Sequence, residues 1–135
     1  MANALYDSGR EGYLDGTNDW DTNAIKAALI DEADDTINLA TDDFWDDRAV
    51  ASRVATSSNL SGKTKTAGVA DADDVTWTTV TGDQAESIDL YEDSGVESTS
   101  SLIANIDTAT GLPVTPGGGD ITARWSSGSD RIFKL

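Results

Sequence analysis

The feature that most constrains this chain is a set of short runs in which apolar and polar residues alternate. Ile25, Ala27 and Leu29 form one run, Val75 and Trp77 another, Ile88 and Leu90 a third. Leu102, Ala104 and Ile106 follow, then Ile121, Ala123 and Trp125. A period of two is that of half-buried strands, whose successive side chains point to opposite faces. Turn-forming residues separate the runs, as in Val80-Thr-Gly-Asp83 and Tyr91-Glu-Asp-Ser-Gly95, which predicts antiparallel hairpins. Weaker strand signals lie at Arg53 to Thr56, Lys63 to Thr66 and Ile132 to Leu135. About eight short strands predict an all-β domain, an antiparallel sandwich or a jelly-roll-like arrangement. With 135 residues the chain is the size of one domain, 1–135, and can bury roughly two thirds of its unfolded surface.

Two short helices are expected to interrupt the strands. Ser8-Gly-Arg-Glu11 has capping-box spacing and Gly16 is placed to stop the helix that follows. Thr41 is placed to cap a second turn through Asp42, Asp43, Phe44 and Trp45. Adjacent aromatics among charges anchor a loop to a core, so Phe44 and Trp45 are expected to lid the sandwich, with a partner contact as the other possibility. The segment Asp107 to Asp120 joins two strands and holds both prolines and four of the 12 glycines. A loop of this length is more often functional than idle. Leu112 and Val114 within it either fold back over an open sheet edge or reach a neighbouring subunit. The apolar run Ile132-Phe-Lys-Leu135 should be tied down in a sheet.

Composition narrows the function. The chain has 25 acidic and 9 basic residues, a formal net charge of −16, and thirteen of the acids fall before Arg48. Such a chain has no clustered lysines and arginines to neutralise phosphates, so nucleic acid is not expected as a partner. Nor is a membrane, since no apolar run is of spanning length and the first residues lack the pattern of a secretion signal. With neither histidine nor cysteine, Ser-His-Asp, Cys-His and histidine-ligated metal chemistries are excluded. Neither a phosphate-binding glycine loop nor a dinucleotide fingerprint occurs. Asp71-Ala-Asp-Asp74, Asp31-Glu-Ala-Asp-Asp35 and Asp42-Asp-Phe-Trp-Asp-Asp47 offer oxygen ligands, but the first lacks the glycine and closing glutamate of a calcium loop. They are expected to be solvated turns, with no metal and no cofactor. The expectation is a protein that packs against copies of itself or a partner surface and carries no catalysis.

A resemblance sharpens this. Met1-Ala-Asn-Ala-Leu-Tyr-Asp7, Gly9-Arg-Glu11, Leu14-Asp-Gly16 and Trp20 resemble the start of a family of small proteins encoded among the structural genes of tailed bacteriophages. The stretch from Ile103 through Gly111-Leu-Pro-Val-Thr-Pro116 to Ile121, with Trp125 and Ile132-Phe-Lys-Leu135, is similar to the close of that family; Ile37 to Thr41 and Arg53 to Thr56 match between. The resemblance implies a virion component assembled in the host cytoplasm, in the first place a capsid decoration or cement protein bound to the major capsid protein, with a homotrimer favoured. Tail, neck or fibre association and a carbohydrate- or receptor-binding module are the alternatives. Candidate subunit or capsid contacts are Leu112, Pro113, Val114, Phe44, Trp45, Phe133 and Leu135. This chain is more acidic than the family at Asp42 to Asp47.

Overall fold

The computed structural model describes residues 3–135; Met1 and Ala2, where the resemblance begins, lie outside the described residues. The fold is mainly β and sandwich-like, with nine strands, every pairing antiparallel, and one α-helix among the described residues. β1 (Ala4–Leu5), β2 (Ile25–Ile30), β3 (Arg53–Thr56), β6 (Ser87–Glu92) and β7 (Leu102–Ile106) form the central sheet in the order β1-β7-β6-β2-β3. The second layer is split into two ribbons. β4 (Val69–Ala70) pairs with β9 (Phe133–Lys134), and β5 (Val75–Trp77) with β8 (Ile121–Ala123).

The alternating residues do form the face that meets this second layer. Ile25, Ala27, Leu29, Ile88, Leu90 and Ala104 pack with Val75, Trp77 and Ala70 in one apolar core. Yet β2 and β6 are buried almost throughout, so they are not half-buried strands. Their other face is covered by the irregular segment 31–52, and there Ala28, Ile30, Tyr91 and Leu102 pack with Tyr6, Ile37 and Trp45 in a second core. A shift of register between Leu90 and Tyr91 sets Ile103 beside Ala104 in the first core and leaves Leu102 in the second.

The helix, α1 (Asp7–Asp15), ends as expected at Gly16, whose φ of +83° is the left-handed conformation glycine takes without strain. Its start differs from expectation. Ser8 lies inside the helix and donates to the Leu102 carbonyl at 3.4 Å, while Tyr6 precedes the first turn with no side-chain cap. Tertiary contact decides here, because Gly9 lies so close to β7 that a Cβ would come 2.6 Å from the Ile103 carbonyl oxygen. The helix expected after Thr41 is instead a short 3₁₀ turn over Trp45–Asp47, in which Asp47 accepts from the Asp43 and Phe44 amides at 2.7 and 3.0 Å. The expected strand at Lys63 to Thr66 reduces to a single bridge between Thr64 and Asp71.

The long loop folds back on its own chain. Ala85 and Val114 exchange two backbone hydrogen bonds of 2.9 Å, and Val80 exchanges bonds with Gly118 and Gly119. The C-terminal run is tied down through β9, with the Leu135 amide donating to Gly68 at 3.0 Å.

Candidate functional site

The split second layer leaves the apolar core open along one side. A groove of about 720 Å³ lies there, between the central sheet and β8. Leu29, Ile88 and Ile106 line it from the sheet, Trp77 and Ile121 from the β5/β8 ribbon, and Leu112 and Val114 from the long loop. Leu29 and Trp77 are already buried beneath the surface, whereas Ile106, Leu112, Ile121 and Trp125 are half-exposed at the mouth. Six consecutive residues, Ile121 to Ser126, border the groove. Side chains on one face of a strand are every second residue, so contact with all three residues of β8, Ile121–Ala123, and with the three that follow it argues for a groove along the side of the strand and not one face. That side is unpaired, since β8 bonds only to β5 among the described residues.

The groove differs from the rest of the surface in charge. Arg124 and Arg131 line it, and no carboxylate does among the described residues, in a chain with 25 acids and 9 bases. Arg131 has Asp71 at 3.8 Å, at the long limit of an ion pair. Arg124 is exposed and makes no ion pair among the described residues, unlike Arg10, Lys26, Arg48, Arg53 and Lys65.

A second concentration of chemistry lies under the segment 31–52, and it is closed. The Arg48 side chain has no solvent exposure; it meets Asp89 at 3.1 Å, Asp35 at 2.9 Å and Asp42. Asp89, also without exposure, accepts from the Tyr6 hydroxyl at 2.6 Å and from Asn105 at 2.9 Å. Burial works against the Arg48 charge, but Tyr6, Asp89, Asp42 and Asp35 around it outweigh burial and raise its pKa. Burial also raises the Tyr6 hydroxyl, with Asp89 adding to it, and pushes the Asp89 carboxyl up to about 6 although its hydrogen bonds and Arg48 pull it down. The Arg48 Nε contact to Asp89 Oδ2 is close enough for an ion pair yet lacks hydrogen-bond alignment, and the Asn105 Oδ1 has no partner either. Because no part of this cluster reaches solvent through Arg48 or Asp89, its chemistry is internal: it fastens the covering segment to the sheet.

Several carboxylates of the acidic runs accept from the protein's own backbone and side chains. Asp74 accepts from the Trp125 amide at 3.1 Å, Asp73 from Ser61 at 3.0 Å, and Asp42 from the Asn38 amide at 2.8 Å. Asp31, Asp34 and Asp83 bring three carboxylates within 4.8 Å of one another, with Asp31 buried and accepting from the Ala33 amide at 2.8 Å.

The residues singled out from the sequence do not gather into one surface. Leu112 and Val114 line the groove and Pro113 stands exposed between them. Trp45 is turned inward, stacked on Tyr91 at 4.2 Å between ring centres, with the Arg53 guanidinium 4.5 Å from the centre of the Trp45 ring. Phe44 is 39% exposed beside α1, bridged to Ser101. Phe133 packs edge-on against Trp20 at 5.3 Å, and Leu135 is exposed at the chain end. Arg124, Arg131 and the β8 edge were not expected. A signal for them was present: from 108 to 129 the only acid is Asp120. No family model matches this chain, and no curated protein matches it.

Proposed function

We propose that this protein is a non-enzymatic structural component of a tailed-bacteriophage virion, a decoration or cement protein bound to the major capsid protein on the outside of the head. One observation carries the reading: the segments on which the resemblance rests, drawn from both ends of the chain, meet in one seam. β1 pairs with β7, placing Ala4 opposite Asn105 and Leu5 opposite Ala104. Asn3 accepts from the Asp107 and Thr108 amides at 3.0 and 2.9 Å, and Gly9 lies against the Ile103 backbone. Residues that must fit one another in this way are a reason for two distant stretches to resemble one family together. A mainly β, sandwich-like domain with an open apolar groove suits a protein whose task is to cover and brace a surface. Copies are proposed to meet as a closed homotrimer, the Leu112 to Val114 lip among the contacts.

The glycan-binding alternative draws less support, because Trp20, Trp45 and Trp77 are each below 7% exposed and only Trp125 offers ring surface for stacking on a sugar. The test is quantitative mass spectrometry of gradient-purified particles from the phage that encodes the chain, followed by a particle map. Copy numbers comparable with the major capsid protein and density on the head are expected. A few copies per particle would move the protein to the tail or neck, and its absence from purified particles would overturn the reading.

A further inference from the structure

We propose that the groove beside β8 holds an extended polypeptide segment of a partner protein, which pairs with the open edge of β8 and directs a carboxylate toward Arg124. The inference goes beyond the virion assignment and is tested on the isolated protein, so either can fail alone.

Three observations converge on this occupant. The groove runs along the unpaired side of β8, and a strand edge presents alternating backbone donors and acceptors that another extended chain satisfies. A hydrocarbon chain would leave those groups unpaired, at a cost comparable to lost hydrogen bonds. Next, the apolar lining from Ile106, Leu112 and Ile121 suits alternate apolar side chains of the segment. Last, the wall is the reverse of the molecule's general charge, with two arginines and no carboxylate among the described residues. An acidic ligand is thus attracted here and repelled elsewhere on a surface of net charge −16. Asn3 and the Thr108 to Leu112 stretch form the wall facing β8. A groove walled on both sides admits one strand more readily than the sheet edge of a second folded copy.

The probes are synthetic seven-residue peptides of alternating valine and threonine carrying one glutamate, the same peptide with lysine in its place, and the glutamate peptide N-methylated on alternate amides. Binding is read by Trp125 fluorescence and by hydrogen exchange of the amides from 121 to 126. The glutamate peptide should bind saturably below about 1 mM and slow exchange in that stretch. N-methylation should weaken it by roughly tenfold or more, because it removes backbone hydrogen bonds and keeps the apolar side chains. Arg124→Glu should reverse the preference to the lysine peptide, and Arg124→Gln should abolish it. Both variants change an exposed side chain, and an unaltered circular dichroism spectrum will show that they fold. Equal binding of the N-methylated peptide, or no saturable binding, would overturn strand pairing. Binding of decanoate with no response to any peptide would replace the peptide by an amphiphile. Protection of 121–126 in an oligomer of the protein alone would give the groove to a second copy.

Discussion

On one face of the central sheet Ile25, Ala27, Leu29 and Leu90 pack into an apolar core, while on the other Asp89 and Asn105 meet Arg48 and Tyr6. Both faces are closed to water, but by different means. The first is closed by two strand ribbons held through area burial, which is insensitive to the angle of any one contact. The second is closed by a segment of 22 residues, 31–52, whose only regular structure is two short 3₁₀ turns. A cover of that kind makes few ladder bonds, so its position rests on directed contacts: the three carboxylates around Arg48, the Arg53 guanidinium donating to the Trp45 and Arg48 carbonyls, and the Trp45/Tyr91 stack. Apolar closure tolerates approximation, whereas polar closure fails when one member is lost.

The comparison breaks most sharply at Arg48. Arg48→Met would leave Asp89 buried without its cation and two further carboxylates beside it, and should cost about 3–5 kcal/mol in urea unfolding. A loss below 1 kcal/mol would show that the cluster is not what fastens the cover. On the apolar face Leu90→Ala, at a site with no exposure, should cost about 3 kcal/mol by the same measurement. It should also leave the Trp45/Tyr91 pair unchanged in near-ultraviolet circular dichroism, whereas Arg48→Met should alter it.

Acid titration separates the buried carboxylate of the polar face from ion pairs nearer the surface by direction. Burial holds the Asp89 carboxyl at about 6 in the folded chain, above its ordinary value of 3.8. Between those values the folded chain keeps a proton that the unfolded chain has released, so the Asp89 contribution to stability falls as pH rises through the window and is level above it. Asp93 and Glu97 act in the opposite sense. Hydrogen bonds from Lys26 and Arg53 hold them low, so their contributions are present at neutral pH and are lost as pH falls through the folded values. Asp89→Asn removes the first effect and keeps the second. The stability of the native chain minus that of the variant should therefore decrease from about pH 4 to about pH 6, as measured by urea unfolding across that range. A difference that rises instead would mean that the Arg48 charge, and not burial, governs Asp89.

The smallest expected effect lies at Asp47, whose carboxylate accepts two backbone amides at the start of the 3₁₀ turn that carries Trp45. Asp47→Ala should cost about 1 kcal/mol, as loss of a helix cap does. If the cover is fixed by Arg48, hydrogen exchange should quicken only around 43–48 and not across the whole segment.

How far the molecule could be read in advance follows from the range of each interaction. The alternation at Ile25 to Leu29 and at Ile88 and Leu90 predicted both strands and the face of the first core, because a period of two is a local property. In a half-buried strand with Ile88 and Leu90 inward, Asp89 would face solvent, whereas it is fully buried. A polar residue between apolar ones marks the opposite face of a strand and says nothing of what covers that face. Gly16 was readable because a left-handed stop is written in one residue, whereas Ser8 lost its capping role when the helix settled on β7. Phe44 and Trp45 were adjacent in the sequence, yet one is buried and stacked and the other 39% exposed. For the groove, the scarcity of acids from 108 to 129 was legible; that this stretch faces Leu29 and Ile88 was not, since those residues lie far away in the chain.

What the sequence by itself determined is therefore the strand character, the β6–β7 hairpin at Tyr91 to Gly95, the helix stop at Gly16 and the tethering of the C-terminal run, all of which depend on residue order over a few positions; the hairpin expected at Val80 to Asp83 does not form, because β5 pairs with β8 and not with β6. The tertiary structure alone decided which strand edge borders the groove, which carboxylates surround Arg48, and which two arginines share a wall with no carboxylate among the described residues. Those outcomes depend on contacts between residues tens of positions apart, such as Tyr6 with Asp89 and Asp73 with Trp125. Local preference fixes the direction of a side chain, and only the packing of distant segments fixes what that side chain meets.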